Sequence, residues 1–405
     1  MSITSLKFEG VIKAPPVQVY NSFTNSTAMR EWMCDIATTE IKPGGRFYAA
    51  WNSGYYTSGE FIALDPDKSI SFTWRGRNYP RDTQVLITLK KKTGGTQFLL
   101  IHKGLGKGVT WESIRQDIHY GWESGLQNLI SVLETGEDLR FTQRPMMGIF
   151  FAPFNRDIAK KIGSPVSQGI LIDGVVDGMG AKSAGLQKED ILVGLAEMEI
   201  RTTEDLTSAL QRKRAGDWVD ATIYRGTERI SLNMQLSRRP LPEIPTTLEG
   251  LIKAVEKKAE DEISQIEKFF ASISEEAASY KPAPDEWSAK EILAHLIHGQ
   301  RDTQLNLVQM IGGHETWSDD WGGNIHARNV ATLAAYPTVP ELLQEYTKCY
   351  RETIALYANI PHEFSNRKST LWRSGLYALD EPSHVNIHME QLQAAVDAYR
   401  KAKSL

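Results

Sequence analysis

The sequence predicts a multidomain chain: an α+β segment over residues 1–140, a mostly-β segment over 141–240 and an all-α four-helix bundle over 246–405. Three observations carry this. A chain of 405 residues is long enough for two to four hydrophobic cores. Short alternating runs bounded by turn residues dominate the first part, and helical periodicity takes over near residue 246. The change falls at Leu241-Pro242-Glu243-Ile244-Pro245, a short proline-marked linker.

Composition narrows the function classes. Hydrophobic content of 41% and charged content of 24% are ordinary for a soluble globular chain. The formal net charge is -4, and the one compact basic cluster, Lys90-Lys91-Lys92, reads as a hairpin tip before Thr93-Gly94-Gly95. Nucleic-acid binding therefore has no electrostatic support. Cys34 and Cys349 lie in distant segments, which excludes a disulfide framework and fits a reducing compartment. The N-terminus lacks the charged start and apolar run of a signal peptide. No run of about 18 apolar residues exists to span a membrane. The expectation is a cytoplasmic protein with no membrane or nucleic-acid partner.

In the first segment, Phe8-Glu9-Gly10-Val11-Ile12-Lys13 alternates like a strand and Ala14-Pro15-Pro16 breaks it. Val17, Val19, Tyr20 and Phe23 follow at helical spacing, and Glu31-Trp32-Met33 closes that region. Strands are predicted at 44–51, 55–64, 69–74, 84–89 and 96–102, then a long amphipathic helix from about Ser113 to Glu134. The order resembles the START-like helix-grip fold, specifically the heat-shock-ATPase-activator homology family. Ala14-Pro15-Pro16, Arg30-Glu31-Trp32, Pro43-Gly44-Gly45-Arg46-Phe47, Gly59-Glu60-Phe61 and His119-x-Gly121-Trp122 carry the resemblance. It implies a sheet around the long helix and an apolar cavity lined by Trp51, Tyr55, Phe72, Trp74, Trp111 and Trp122, suited to a small apolar molecule. The competing reading is that these aromatics fill the core. His119 and Glu123 read as a helix-face pair.

The middle segment opens a strand at Gly169-Ile170-Leu171-Ile172 and continues through Ser183-Ala184-Gly185-Leu186 to Asp190-Ile191-Leu192. A Thr-capped helix follows at Thr203-Glu204-Asp205-Leu206, then a hairpin around Arg225-Gly226-Thr227. This looks like a PDZ domain of the circularly permuted bacterial HtrA type. The resemblance implies that Met146, Met147, Gly148, Ile149 and Phe150 form the loop that binds a peptide or C-terminal carboxylate while the peptide adds a strand to the sheet. Two departures stand out: Glu189 replaces the usual glycine before Asp190, and Gly194-Leu195-Ala196-Glu197 replaces the usual Asn-Gly turn. No Gly-x-Ser-x-Gly motif accompanies it. The alternative is a PDZ unit that only packs domains together.

The last segment predicts helices over 248–272, from Ser288 (its capping box completed by Glu291), over 339–358, and from the Asp380 region, with Asp380 as N-cap. His384 and His388 fall four apart on the last, so both imidazoles share one face and can share one metal ion. The helices resemble the DinB-like family. Trp287-Ser288-x-x-Glu291-Ile292-Leu293-x-His295-Leu296 matches its second helix, Asp319-Asp320-Trp321-x-x-Asn324 and Ala327-Arg328-Asn329 its middle loop, and His384-x-x-x-His388 with Gln391-Leu392 its last helix. The resemblance implies an open site of His295, His384 and His388 for a divalent metal, zinc or nickel, used with a low-molecular-weight thiol. No glutamate follows the first histidine of the pair, so a zincin peptidase is excluded. His298 is read as second to the ligands or on the surface, and Arg328, Asn329 and Trp317 as bordering the site. His314 and His326 receive no role, and no catalytic residue is assigned. Two functions compete: a metal-dependent transferase or hydrolase of small-molecule detoxification fused to two ligand-binding modules, and a non-enzymatic stress or signalling adaptor.

Overall fold

The structure, a computed structural model, describes residues 4–211, 213–312, 325–380 and 382–404. His314, Trp317, Asp319, Asp320, Trp321 and Asn324 lie outside them. Residues 1–138 and 241–405 form one compact unit and residues 139–240 a second.

The first region runs β1 (Thr4–Ile12), α1 (Pro16–Thr24), α2 (Ser26–Trp32), β2 (Ile36–Thr39), β3 (Arg46–Ala50), β4 (Tyr56–Asp65), β5 (Ser69–Gly76), β6 (Thr83–Lys92), β7 (Gly95–Leu105) and α3 (Val109–Glu134). Asn25 splits the expected single helix: its extended backbone ends α1, and its side chain accepts the Ala28 N–H to cap α2. The strands form one antiparallel sheet in the order β1-β7-β6-β5-β4-β3-β2. From α3, Trp111, Ile118, Trp122, Leu126, Leu129 and Val132, at helical spacing, join the sheet residues in one core.

Side chains take up that interior. Phe72, Trp74, Trp111 and Trp122 are buried, while Trp51 and Tyr55 are half-buried against them. A cavity of about 10 Å³, room for one water, remains between Phe23, Met29, Met33, Phe47, Phe61, Phe72 and Trp74. Of the six aromatics expected around a ligand chamber, only Phe72 and Trp74 border it.

One polar chain crosses this apolar core. The Trp122 indole N–H, which can only donate, meets His102 Nδ1 at 3.0 Å. His102 therefore carries its proton on Nε2 and donates to Thr83 Oγ1 at 2.7 Å. The Thr83 hydroxyl donates onward to the Trp74 carbonyl. Burial pushes His102 down from 6.5 to about 3.

The middle unit runs α4 (Leu139–Thr142), β8 (Pro145–Met146), β9 (Ile149–Ala152), α5 (Arg156–Lys161), β10 (Ile170–Val175), α6 (Gly180–Ser183), β11 (Ile191–Leu195), β12 (Met198–Glu199), α7 (Thr203–Leu210), β13 (Trp218–Arg225), β14 (Glu228–Gln235) and β15 (Ser237–Arg238). Its main sheet has the order β14-β13-β11-β10-β9, with β12 on β11, and β8 pairs β15. Asp190 is buried and accepts Arg225 Nε and Nη2, each at 2.8 Å, and the Gln187 N–H at 2.8 Å. The two sequence departures have a backbone consequence. Glu189 has φ 73, and Ala196 and Glu197 have φ 50 and 67, so residues with side chains hold left-handed positions.

The last region is all-helical: α8 (Leu248–Phe270), α9 (Glu275–Ser279), α10 (Ala289–Gly312), α11 (Ile325–Ala335), α12 (Val339–Ala358), α13 (His362–Ser365), α14 (Lys368–Ala378) and α15 (His384–Lys403). The four long helices are those expected, and α14 was not. It joins the region to the first one. The buried Glu31 carboxylate, from α2, accepts Arg367 Nη2 at 2.6 Å, Ser369 Oγ at 2.7 Å and Thr370 Oγ1 at 2.8 Å. It thus lies at the positive end of the α14 dipole. Arg373 donates to buried Asp138 at 2.7 Å and to the Arg30 carbonyl at 3.0 Å. Asn128 Nδ2 bridges Asp138 and the Trp32 carbonyl.

Three outcomes are expected. The unfolded chain takes a proton on His102 near pH 6.5 and the folded chain only near 3, so stability is full above 6.5 and falls as pH drops, at up to about 1.4 kcal/mol per pH unit. In denaturant titrations from pH 6.5 to 4.5, the wild type should lose more stability than His102→Gln; equal slopes would contradict the network. Glu31→Ala leaves three donors facing each other without their acceptor and should cost about 2–4 kcal/mol, measured by urea unfolding. Replacing Ala196-Glu197 by Asn-Gly should raise stability by about 1 kcal/mol through relief of the left-handed strain, read as a higher melting temperature.

Candidate metal centre

The local sequence places each imidazole. On α10, Ser288 N–H and Oγ–H both donate to Glu291 Oε2, at 2.8 and 3.0 Å, which fixes the first turn below His295. On α15, the cap is Ser383, not Asp380: its hydroxyl accepts the Asn386 N–H at 3.2 Å. Asp380, three residues before the cap, accepts the His384 N–H at 3.1 Å and is paired with Lys258. Pro382 and Ser383 stay outside the helix, which starts at His384, so Asp380 is too far upstream to cap it.

Three ring nitrogens converge. His384 Nε2 lies 3.0 Å from His295 Nε2 and 3.2 Å from His388 Nε2. The rings stand edge to face, at 81°, 82° and 69°. Donors bound tetrahedrally at about 2.0–2.1 Å are separated by roughly 3.3 Å, so little adjustment brings these onto one ion. His388 Nδ1 is 2.8 Å from Gln391 Oε1; as donor there, it leaves Nε2 with its lone pair. Trp287 packs its ring 5.0 Å from His295 and stacks 6.5 Å from His388. Burial, then the neighbouring His384 and His388, pushes His295 down to about 3. Burial, then His388, also lowers His384. These two imidazoles are neutral at pH 7, the form in which histidine binds a metal. The donor set fits a divalent transition-metal ion. Among the described residues no other group of three His, Cys, Asp or Glu offers such a set.

The other expected residues separate. His298 is buried, not on the surface, and its Nε2 meets Thr332 Oγ1 of α11 at 3.2 Å. His326 is exposed on α11. Arg328 pairs with Asp302 through both terminal nitrogens, at 2.8 and 3.2 Å, and Asn329 is buried. The contact of Gln391 with His388 was not anticipated, although its i, i+3 spacing is the signal that could have found it.

In the middle unit, Met146 pairs with Ser237, Met147 is buried in the core, and Ile149 and Phe150 lie on β9 at one end of the sheet order. Gly148 has φ 79. Phe150 and Phe151 are 63% and 53% exposed on that terminal strand, a surface of the kind peptides extend. In the first region, His119 and Glu123 face each other at 3.8 Å, both half-exposed.

Comparison with known proteins finds three matches along the chain. Residues 13–134 match the family described as Activator of Hsp90 ATPase homolog 1-like protein, residues 145–236 the PDZ domain and residues 259–391 the DinB superfamily. The Serine protease Do-like HtrA of Lactococcus lactis subsp. cremoris is 29% identical over 116 residues, 27% of this chain and 28% of that protein. Its namesake in Bacillus subtilis is 33% identical over 78 residues, 19% of this chain and 17% of that protein. The chain therefore covers well under half the length of these relatives. Among solved structures, the Aha1 dimer from Colwellia psychrerythraea is 18% identical, covering 32% of this chain and 96% of that one, with a TM-score of 0.30. An HSP90 activator from Plasmodium falciparum is 22% identical, covering 32% and 95%, with a TM-score of 0.29. The chain is thus a fusion of an Activator of Hsp90 ATPase homolog 1-like region, a PDZ domain and a DinB superfamily region.

Proposed function

We propose that the C-terminal region is a metal-dependent enzyme that joins a low-molecular-weight thiol to a small electrophile. The observation that carries this reading is the convergence of His295, His384 and His388 Nε2. Three nitrogen donors leave at least one coordination position for an exchangeable ligand. A divalent ion bound there, zinc or nickel, supplies Lewis acidity that favours the thiolate form of the thiol. The chain's own residues do the rest. Gln391 orients His388, Asp380 and Ser383 hold the first turn of α15, and Trp287 excludes water from one side of the rings. In the reaction the thiol proton passes to solvent, sulfur bonds to the electrophilic carbon, and the leaving group departs with its electron pair.

In this reading the boundaries fall near residues 140 and 240–246, and the other two modules deliver partners. The PDZ unit takes a peptide or C-terminus along β9 beside Met146–Phe150, supported by the exposed Phe150. The first region takes a small apolar molecule by displacement of Met29 and Met33, adaptable side chains that border a cavity with room for one water. The setting is cytoplasmic.

One observation favours a second reading, an adaptor with a structural metal: Trp287 and Gln391, which touch the imidazoles, supply no acid or base. A single experiment separates the two. Metal content is measured on the purified full chain and on His388→Ala, with melting temperature and turnover of a thiol with an activated aryl halide. An enzyme loses metal and at least 100-fold of its turnover with little change in melting temperature. A scaffold unfolds with no turnover to lose. Wild-type chain that holds no metal after exposure to zinc and nickel sinks both.

A further inference from the structure

Four residues beyond His295, in the interior of α10, stands Gly299. Apart from proline, glycine is the poorest helix former, so an interior glycine calls for a reason. The surroundings supply one. A Cβ on Gly299 would lie 2.5 Å from Nδ1 and 3.0 Å from Cε1 of His384. The ring has little freedom to retreat. Its Nε2 is within 3.2 Å of two other imidazole nitrogens, and its backbone N–H is held by Asp380. Gly121, inside α3, is the contrast: nothing lies within 4 Å of where its Cβ would go.

We propose that Gly299 is a positioning residue of the metal centre, a gap in the side-chain surface of α10 that lets His384 lie against the helix backbone and bring its Nε2 to the point shared with His295 and His388. The proposal rests on the metal-centre reading. The two helices then play matching parts. The i, i+4 pair on α15 supplies two ligands; the i, i+4 pair on α10 supplies one ligand and the space for a ligand of α15.

The test uses the full chain and two readouts. Cobalt and zinc affinities are measured by titration against a competing chelator for wild type, Gly299→Ala and Gly121→Ala. Gly299→Ala should bind at least tenfold more weakly with unchanged helix content, and Gly121→Ala should match wild type. Equal affinities for Gly299→Ala and wild type overturn the proposal, whereas a wild type that takes up neither metal overturns the underlying reading instead. The second readout is the melting temperature of metal-free protein. Gly299→Ala should melt below wild type, yet in a His384→Ala background the same change should raise the melting temperature, since the obstruction is gone and alanine favours the helix. A decrease in both backgrounds overturns the proposal. If Gly299→Ala fails to fold, folding of the double variant supports the contact as the cause, and failure of the double variant overturns it.

Discussion

The C-terminal region depends on one packing constraint: α15 must lie close enough to α10 for imidazoles 89 positions apart to meet at 3.0 Å. Apolar surface supplies the force. Ile292, Leu293, Leu296 and Ile297 of α10 share a core with Val385, Leu392 and Val396 of α15. Three polar rings at the edge of that core are an expense that apolar residues of similar size would not incur. Burial keeps two of them neutral, so protonation does not relieve the crowding at pH 7. A structure that retains this arrangement invests stability in a donor set, which is why the site weighs more than a lone pair of histidines at helical spacing.

How much of this could be read from residues alone follows the range of the interactions. The capping box at Ser288 and Glu291, the strand runs before residue 102 and the four long helices rest on local signals, and the structure contains them. His384 and His388 were legible for the same reason. His295 was not: it came from a resemblance, because no local rule says which distant helix will face α15. Helix α14 was missed because Ser369, Thr370, Ser374 and Gly375 are weak helix formers. Tertiary contact selects it instead. Gly375 lies so close to Ile244 that a Cβ would come within 2.5 Å of that side chain, so the proline-marked linker is itself packed. Glu31 stands in a legible motif, Arg30-Glu31-Trp32, but its partners lie more than 300 positions away.

The middle unit shows the converse. The departures at Glu189 and at Ala196-Glu197 were visible as letters, and their meaning came only from the backbone. All three occupy the left-handed region that the usual glycine or Asn-Gly would hold without strain. The fold tolerates this because the surrounding ladder over-determines the turns: β11 is paired on one side with β10 and on the other with β13. Asp190, directly after Glu189, is further tied by Arg225.

The carboxylate of Glu31 has a wider consequence for the chain's thermodynamics. Its three partners are all donated by a helix that follows the middle unit, so two stretches separated by about a hundred residues share a buried polar joint. Neither can melt without stripping the other of satisfied hydrogen bonds. The first and last regions are therefore linked systems in the sense of mass action: binding energy captured in either one raises the unfolding free energy of both. A ligand of the sheet and an ion among the helices would report on each other through stability alone, with no movement between them and no shared surface for the ligands themselves.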